Sequence, residues 1–394
     1  MTTGPRYLVL ALVVLVVLGS MIPAAAQAGL ARRIVLFQDS FVNAEAQAGL
    51  VRAFQGHALR SLPIVNGMAV LLPPAAEKGL AHRPEVAGVY EDGLVQAADK
   101  PASSGRKPPS GQPPQELPWG VNRIDAEYAW AYSRGAGVTV AVIDTGVDRR
   151  HPDLAVAGGV NYVPRSLYKP VDPNGWDDNN GHGTHVAGII AALDNTIGVV
   201  GVASAASLYA VKVLDKNGSG YVSDVISGIN WCAANHIQVA NLSLSTQTDW
   251  TPLHTACDQA AAAGVLLVAA AGNDGSAVDY PAAYSSVIAV AATDVYDQKA
   301  SWSSYGPQLA LSAPGVGIKS TWPGGLYAVA SGTSMAAPHV AGVMALALAA
   351  GRTTNLGLSA DDLYAPGPDV YSGAGLVDAG EAASGILNLG DDLP

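Results

Sequence analysis

Short aliphatic, β-branched runs alternating with Ala-rich stretches dominate the chain from residue 138 onward, and no other feature so limits what it can fold into. The runs at residues 138–143, 207–214, 238–242, 265–271 and 287–291 are largely apolar, rather than apolar at every second position. Such strands must be covered on both faces, and helical crossovers between them build a parallel sheet flanked by helices. The expected class is α/β, a mostly parallel sheet with helices on both faces and functional residues at the carboxyl ends of strands.

A smaller α+β unit precedes this region. Within residues 32–98, strand-like pieces at 34–37, 68–72 and 86–90 alternate with helix-like pieces at 44–54 and just before Pro84. Such a unit of ~70 residues is close to the lower size limit for independent stability. Residues 99–114, DKPASSGRKPPSGQPP, are rich in Pro, Ser and Gly without periodicity and read as a linker. At the start, Arg6, an apolar run at residues 8–18 and the small residues Ala24, Ala25, Ala26 and Ala28 have the layout of a secretory signal peptide cut after Ala26 or Ala28. The run is well short of the ~20 residues needed to span a bilayer, so export is expected, with no membrane attachment after cleavage. The expected organisation is signal peptide 1–28, leader unit 29–98, linker 99–114 and main domain 115–394.

Hydrophobic residues make up 49% of the chain and charged ones 13%, which excludes a disordered protein. Its 32 acidic and 21 basic residues give a net charge of −11, which argues against a nucleic-acid binder. The charge is uneven: +1 for residues 1–28, +2 for 29–112 (9 basic, 7 acidic) and −14 for 113–394 (11 basic, 25 acidic). Cys232 and Cys257 are the only cysteines and lack zinc-site spacing, leaving one bridge or two thiols open.

Four residues carry chemistry. Asp144 follows the apolar run 138–143 in DTGVD, at a strand's carboxyl end; an aspartic-protease reading would need a second DTG or DSG, and none occurs. His182, in NNGHGTHVAG, is placed at an exposed helix start as a candidate base. His185, three residues on, reads as a core histidine, because the metalloprotease spacing of four with an intervening Glu is absent. Ser334, in SGTSMAAPHVAG, opens an Ala-rich helix whose first turn is expected to hold Pro338. A serine hydroxyl needs a base, and the base needs a carboxylate to fix its tautomer. Asn273, in VAAAGND, ends a strand where its amide could donate to an oxyanion beside the Ser334 backbone N–H.

Together with DTGVDRRHPDL, ASLYAVKVLDKNGSG, VAAAGNDG and the closing YSGAGLVDAGEAA, these segments resemble the subtilisin family of serine proteases, in its order Asp, His, Ser. An α/β-hydrolase would need Ser, Asp, His in order and Gly at position 336, where this chain has Ala. The resemblance implies a secreted, self-processed serine endopeptidase in which Ser334 attacks, His182 shuttles the proton, Asp144 orients His182 and Asn273 stabilises the oxyanion. A transpeptidase or cyclase using the same acyl-enzyme, or a scaffold without activity, are the other classes.

The resemblance also implies partners and ligands. Polypeptide substrate is expected to lie as an added strand between Gly218, Ser219, Gly220 and Ser243, Leu244, Ser245, with Ala270, Gly272 and Asp279 around the specificity pocket. Ser245 stands where the family usually has Gly. The segment after Asn273 is about four residues shorter than in the longest family members, which puts Asp279 near the pocket floor and Asp274 at its rim. A structural Ca²⁺ is implied at Gln115, Asp153, Leu193, Asn195, Ile197 and Val199, a set of hard oxygen donors. Residues 32–98 resemble the inhibitory propeptide, a ferredoxin-like partner that leaves residues 94–98 in the active site, with self-cleavage after Ala98. Gln115 lies 17 residues beyond Ala98, and a second cut nearer Pro114 would free it to reach the calcium loop. Matching the cysteines to the family fold puts them on neighbouring helices, close enough for a bridge. The protein is expected to act as a monomer.

Overall fold

The computed structural model describes residues 29–98, 112–164, 171–364 and 366–387. The signal-peptide reading and linker residues 99–111 lie outside the described residues.

The leader unit runs β1 (Ala31–Phe37), α1 (Ala44–Ala53), β2 (His57–Leu62), β3 (Gly67–Leu72), α2 (Pro74–Ala81), β4 (Val86–Glu91) and a short β5 (Leu94–Ala97). Its first four strands pair antiparallel in the order β2-β3-β1-β4, the arrangement of a ferredoxin-like unit. Alternation along β1 and β3 divides their side chains between two cores. Val35, Phe37, Met68, Val70 and Leu72 pack with Val51 and Leu80 of the unit's own helices. Ile34, Leu36 and Ala69 face the opposite way and join a core of the main domain. This is why β3 is buried along its whole length.

The main domain continues with α3 (Trp119–Arg123), α4 (Ala126–Ala129), β6 (Thr139–Asp144), β7 (Val156–Asn161), α5 (His182–Ala191), β8 (Ser207–Lys212), β9 (Ser219–Tyr221), α6 (Val222–Ala234), β10 (Val239–Leu242) and β11 (Leu244–Ser245). It closes with α7 (Thr251–Ala262), β12 (Leu266–Ala270), β13 (Val287–Thr293), β14 (Leu309–Pro314), the hairpin β15 (Ile318–Trp322) and β16 (Leu326–Ala330), α8 (Thr333–Ala349) and α9 (Ala379–Ser384). Seven strands form a wholly parallel sheet, β14-β13-β12-β10-β6-β8-β7. One face is covered by α5 and α8, the other by α6 and α7. The chain leaves β6 toward β8 and β7 and later returns to β10 on the other side of β6. That reversal opens a crevice at the carboxyl ends of β6 and β10, where open α/β sheets place their sites.

The leader docks on the α6–α7 face. Ile34, Leu36, Leu62 and Val65 pack into the core that holds Val222, Val225, Ile226, Ile229 and Leu253, each buried side chain worth about 1.5–3 kcal/mol at most. Asp92 accepts from the Ser223 N–H (2.9 Å) and hydroxyl (2.8 Å) and pairs with Arg32 at 2.8 Å, so a leader carboxylate caps α6. Arg60 reaches Asp224 at 2.7 Å and the Tyr162 carbonyl at 2.7 Å. Among the described residues, no helix is long and apolar enough to cross a membrane.

The two cysteines do lie on α6 and α7, which pack together, but no bridge joins them: both are free and fully buried. Burial also lifts both thiols well above their usual range, so they behave as small apolar core groups.

Candidate active site

Asp144 is the last residue of β6 and is fully buried. His182 opens α5, and its Nδ1–H donates to both Asp144 oxygens, at 2.8 and 2.9 Å. With the proton held on Nδ1, the lone pair of the neutral ring sits on Nε2, as a general base requires. A Cβ at position 183 would lie 2.2 Å from the Gly146 carbonyl and 3.1 Å from Asp144 Oδ1, so only glycine lets α5 approach β6 this closely.

Three neighbours not singled out in the sequence stabilise this pair. Thr145 donates its N–H to Asp144 Oδ1 at 2.6 Å, and its hydroxyl accepts from the Gly183 N–H at 2.9 Å. Asp178 accepts from the N–H groups of Asn180, Gly181 and Thr184 and from the Thr184 hydroxyl, which anchors the first turn of α5. Lys212, buried at the end of β8, donates to the carbonyls of Thr145 and Leu214 and to Asn179. Burial pulls its ammonium below the usual range, opposed by Asp178 and Asp144. Asp178, ahead of a glycine-rich helix start, was the legible one of the three.

His182 is only 6% exposed, not open to solvent as its place at a glycine-flanked helix start suggested. Its own N–H is bonded to Asn180 Oδ1 at 3.1 Å. His185 is a core residue: its Nε2 bonds the carbonyls of Ile318 and Ala328, and burial pushes its pKa down to about 3.

Ser334 is the second residue of α8, fully buried beside the carboxyl end of β10. Its hydroxyl donates to the Ser243 carbonyl at 3.1 Å, and the Ser243 hydroxyl donates back to the Ser334 carbonyl at 2.8 Å. Pro338 lies in the second turn of α8, not the first. Lacking an N–H, it cannot bond the carbonyl four residues back, which is that of Ser334, and Ser243 fills the vacancy. Asn273 Oδ1 accepts from the Thr333 N–H (2.9 Å) and hydroxyl (3.0 Å). Those bonds fix the plane of the amide at the N-terminus of α8.

Strand β5 of the leader lies between β11 and β9, antiparallel to both. Gln96 pairs with Ser219 on one side and Ser245 on the other, and Ala97 with Leu244. The Ala97 N–H donates to the Gly218 carbonyl at 2.8 Å, and the Ala98 N–H to the Ser243 carbonyl at 3.3 Å. Ala98 thus ends at the carbonyl that also takes the Ser334 hydroxyl. A cleft of about 690 Å³ adjoins this strand, lined by Ala98, Ser245, Asn273, Asp274, Asp279 and Trp302 among others. Ala270 and Gly272 are buried behind it, Gly272 against the Asp279 carboxylate. Trp302 was not found from sequence; an aromatic in a Ser-rich loop gives no signal of its own.

The six candidate calcium ligands come together. Asp153 Oδ1 accepts from Asn195 Nδ2 (2.7 Å) and Oδ2 from the Val199 N–H (3.0 Å); Gln115 Oε1 accepts from the Asn195 N–H at 2.5 Å. The carbonyls of Leu193, Ile197 and Val199 accept no backbone hydrogen bond from the described residues. One carboxylate, two amide oxygens and three free carbonyls suit a hard cation. No cluster of three or more His, Cys, Asp or Glu suited to a metal occurs among the described residues. Gln115 reaches the loop while Ala98 lies in the cleft, Gln115 N–H donating to the Thr196 carbonyl at 3.1 Å. No second cut is needed to free it.

Parallel sheet, strand-end carboxylate, helix-borne histidine and helix-borne serine define a serine peptidase of the α/β class. Residues 135–363 match the model of the Subtilase family, Peptidase_S8. The chain is 43% identical over 339 residues to subtilisin NAT of Bacillus subtilis subsp. natto, covering 83% of each protein. It is 46% identical over 280 residues to a subtilisin of Bacillus pumilus (68% of this chain, 99% of that one), and 47% over 277 residues to a thermostable alkaline protease of Halalkalibacterium halodurans (68% and 74%). The chain belongs to the subtilase family, and it is a serine endopeptidase.

Proposed function

We propose that the protein is an exported proenzyme that cuts its own chain after Ala98 and then hydrolyses polypeptides through Ser334, His182 and Asp144. The observation that carries this reading is β5: a segment of the chain itself lies as the middle strand of three and ends at the Ser243 carbonyl beside Ser334. An extended peptide held by main-chain bonds on two edges is how a protease accepts many sequences. His182 Nε2 takes the Ser334 proton as Oγ attacks the carbonyl carbon, and gives it to the departing amine; water then repeats the cycle on the acyl-enzyme. Asn273 Nδ2 and the Ser334 N–H donate to the oxyanion. Mass analysis of wild type and Ser334→Ala after expression tests the reading. Wild type is expected to begin at Asp99 and the variant to keep its leader; equal processing of both would refute self-cleavage.

Subtilases generally bind calcium, and the donor set around Asp153 fits that ion. Bound there it would supply a structural crosslink between Gln115, Asp153 and the 193–199 loop, with no part in the chemistry. Calorimetric unfolding is the check. Chelation with EDTA should lower the melting temperature of wild type by several degrees, at roughly 2–4 °C per kcal/mol for a chain this size. Asp153→Asn should be far less sensitive; an equal drop in both would place the ion elsewhere.

A further inference from the structure

We propose that Asp279 determines the specificity of the cleft, selecting a lysine or arginine side chain immediately before the bond that is cut. The inference rests on the endopeptidase reading and names its substrate class.

Asp279 lines the cleft yet is only 6% exposed. Its carboxylate lies against Gly272, whose missing side chain makes room for it: a Cβ there would sit 2.5 Å from Asp279 Oδ2. The neighbour that favours the ionised form is the Ser245 side chain. Among the described residues, no lysine, arginine or histidine comes within ion-pair range of Asp279, and none lines the cleft. A largely buried carboxylate without a counter-cation is costly in a folded protein. Here it faces a space that a substrate side chain enters.

A second carboxylate adds to the field. Asp274 stands at the rim and is held by Gln247, whose Nε2 donates to Asp274 Oδ2 at 2.6 Å. Burial first, and then the charge of Asp274, raise the Asp279 carboxyl above its usual range. Both effects reverse when a cation arrives. The residue that follows the leader strand is Ala98, which lines the cleft together with Asp279 and whose methyl is too short to fill it. A lysine or arginine at that position has an apolar stem for Trp302 and a charged head for Asp279, while a glutamate would meet two like charges.

The test is hydrolysis of matched peptides carrying Lys, Arg, Phe or Glu before the scissile bond, with Phe as the uncharged reference. Lys and Arg peptides should exceed the Glu peptide in kcat/KM by on the order of 100-fold. Asp279→Asn should cut the Lys:Phe ratio by about tenfold or more. In wild type that ratio should also fall on acidification, at a pH above the ordinary aspartate range. If Phe is cleaved but Lys is no faster than Glu, the proposal is overturned. A Lys:Phe ratio unchanged in Asp279→Asn would remove Asp279 as the determinant. If no peptide is cleaved by the processed enzyme, the endopeptidase reading fails first and takes this one with it.

Discussion

His182→Ala is expected to lower kcat on a peptide substrate by about six orders of magnitude, with the folded state retained. That magnitude is the one established for subtilisin itself. The physical reason is local. Asp144 is fully buried and takes the Nδ1–H of His182 through both oxygens, which in the proposed triad would leave Nε2 as the base for Ser334. Without the imidazole nothing in the arrangement accepts the serine proton, and a hydroxyl at neutral pH is a poor nucleophile. Combining His182→Ala with Ser334→Ala should add little, because the two act as one unit. Steady-state kinetics with unfolding curves as a fold control is the measurement, and a kcat within tenfold of wild type would end the triad reading.

Asn273→Ala should reduce kcat by about 100- to 1,000-fold while changing KM little. A loss of this size is the one established for a subtilisin asparagine. The split between kcat and KM follows from what the side chain does. Its Oδ1 is committed to the N–H and hydroxyl of Thr333, which orients Nδ2; in the proposed role that donor would meet charge that develops only in the transition state. An interaction absent from the ground state cannot change ground-state binding. A rise in KM with kcat preserved would show that Asn273 holds substrate instead.

Sequence reading reached the main architecture because the buried strands are continuous apolar runs, and the five runs correspond to β6, β8, β10, β12 and β13. Strands with weaker signatures escaped. β7 reads VAGGVN, with two glycines on a sheet edge, and β14 reads LALSAP, ending on proline. The hairpin β15–β16 was legible in principle, since Pro323, Gly324 and Gly325 separate two alternating runs, but the segment resembles a loop when read alone. At the site, residue types and order pointed to Asp144, His182, Asn273 and Ser334, whereas their surroundings did not. Nothing local to Ser243 says that it repairs the bond Pro338 deletes in α8, because the two are far apart in sequence. The cysteines show the same limit: neighbouring helices were foreseen, but whether the two thiols are joined was not.

The route from Ala98 to Gln112 separates two anchorages. On one side Ala98 is held at the cleft; on the other Gln112 bonds the Gly325 carbonyl and Gln115 the 193–199 loop. Cutting after Ala98 would disturb neither anchorage, so it would change connectivity rather than contacts. Before such a cut the leader would compete for the cleft as part of the same molecule, independently of protein concentration. After it, the same surfaces meet as two molecules, and occupancy follows dilution. Crowded enzyme would remain closed and dispersed enzyme would open, so that leaving a confined space would itself act as the activating signal.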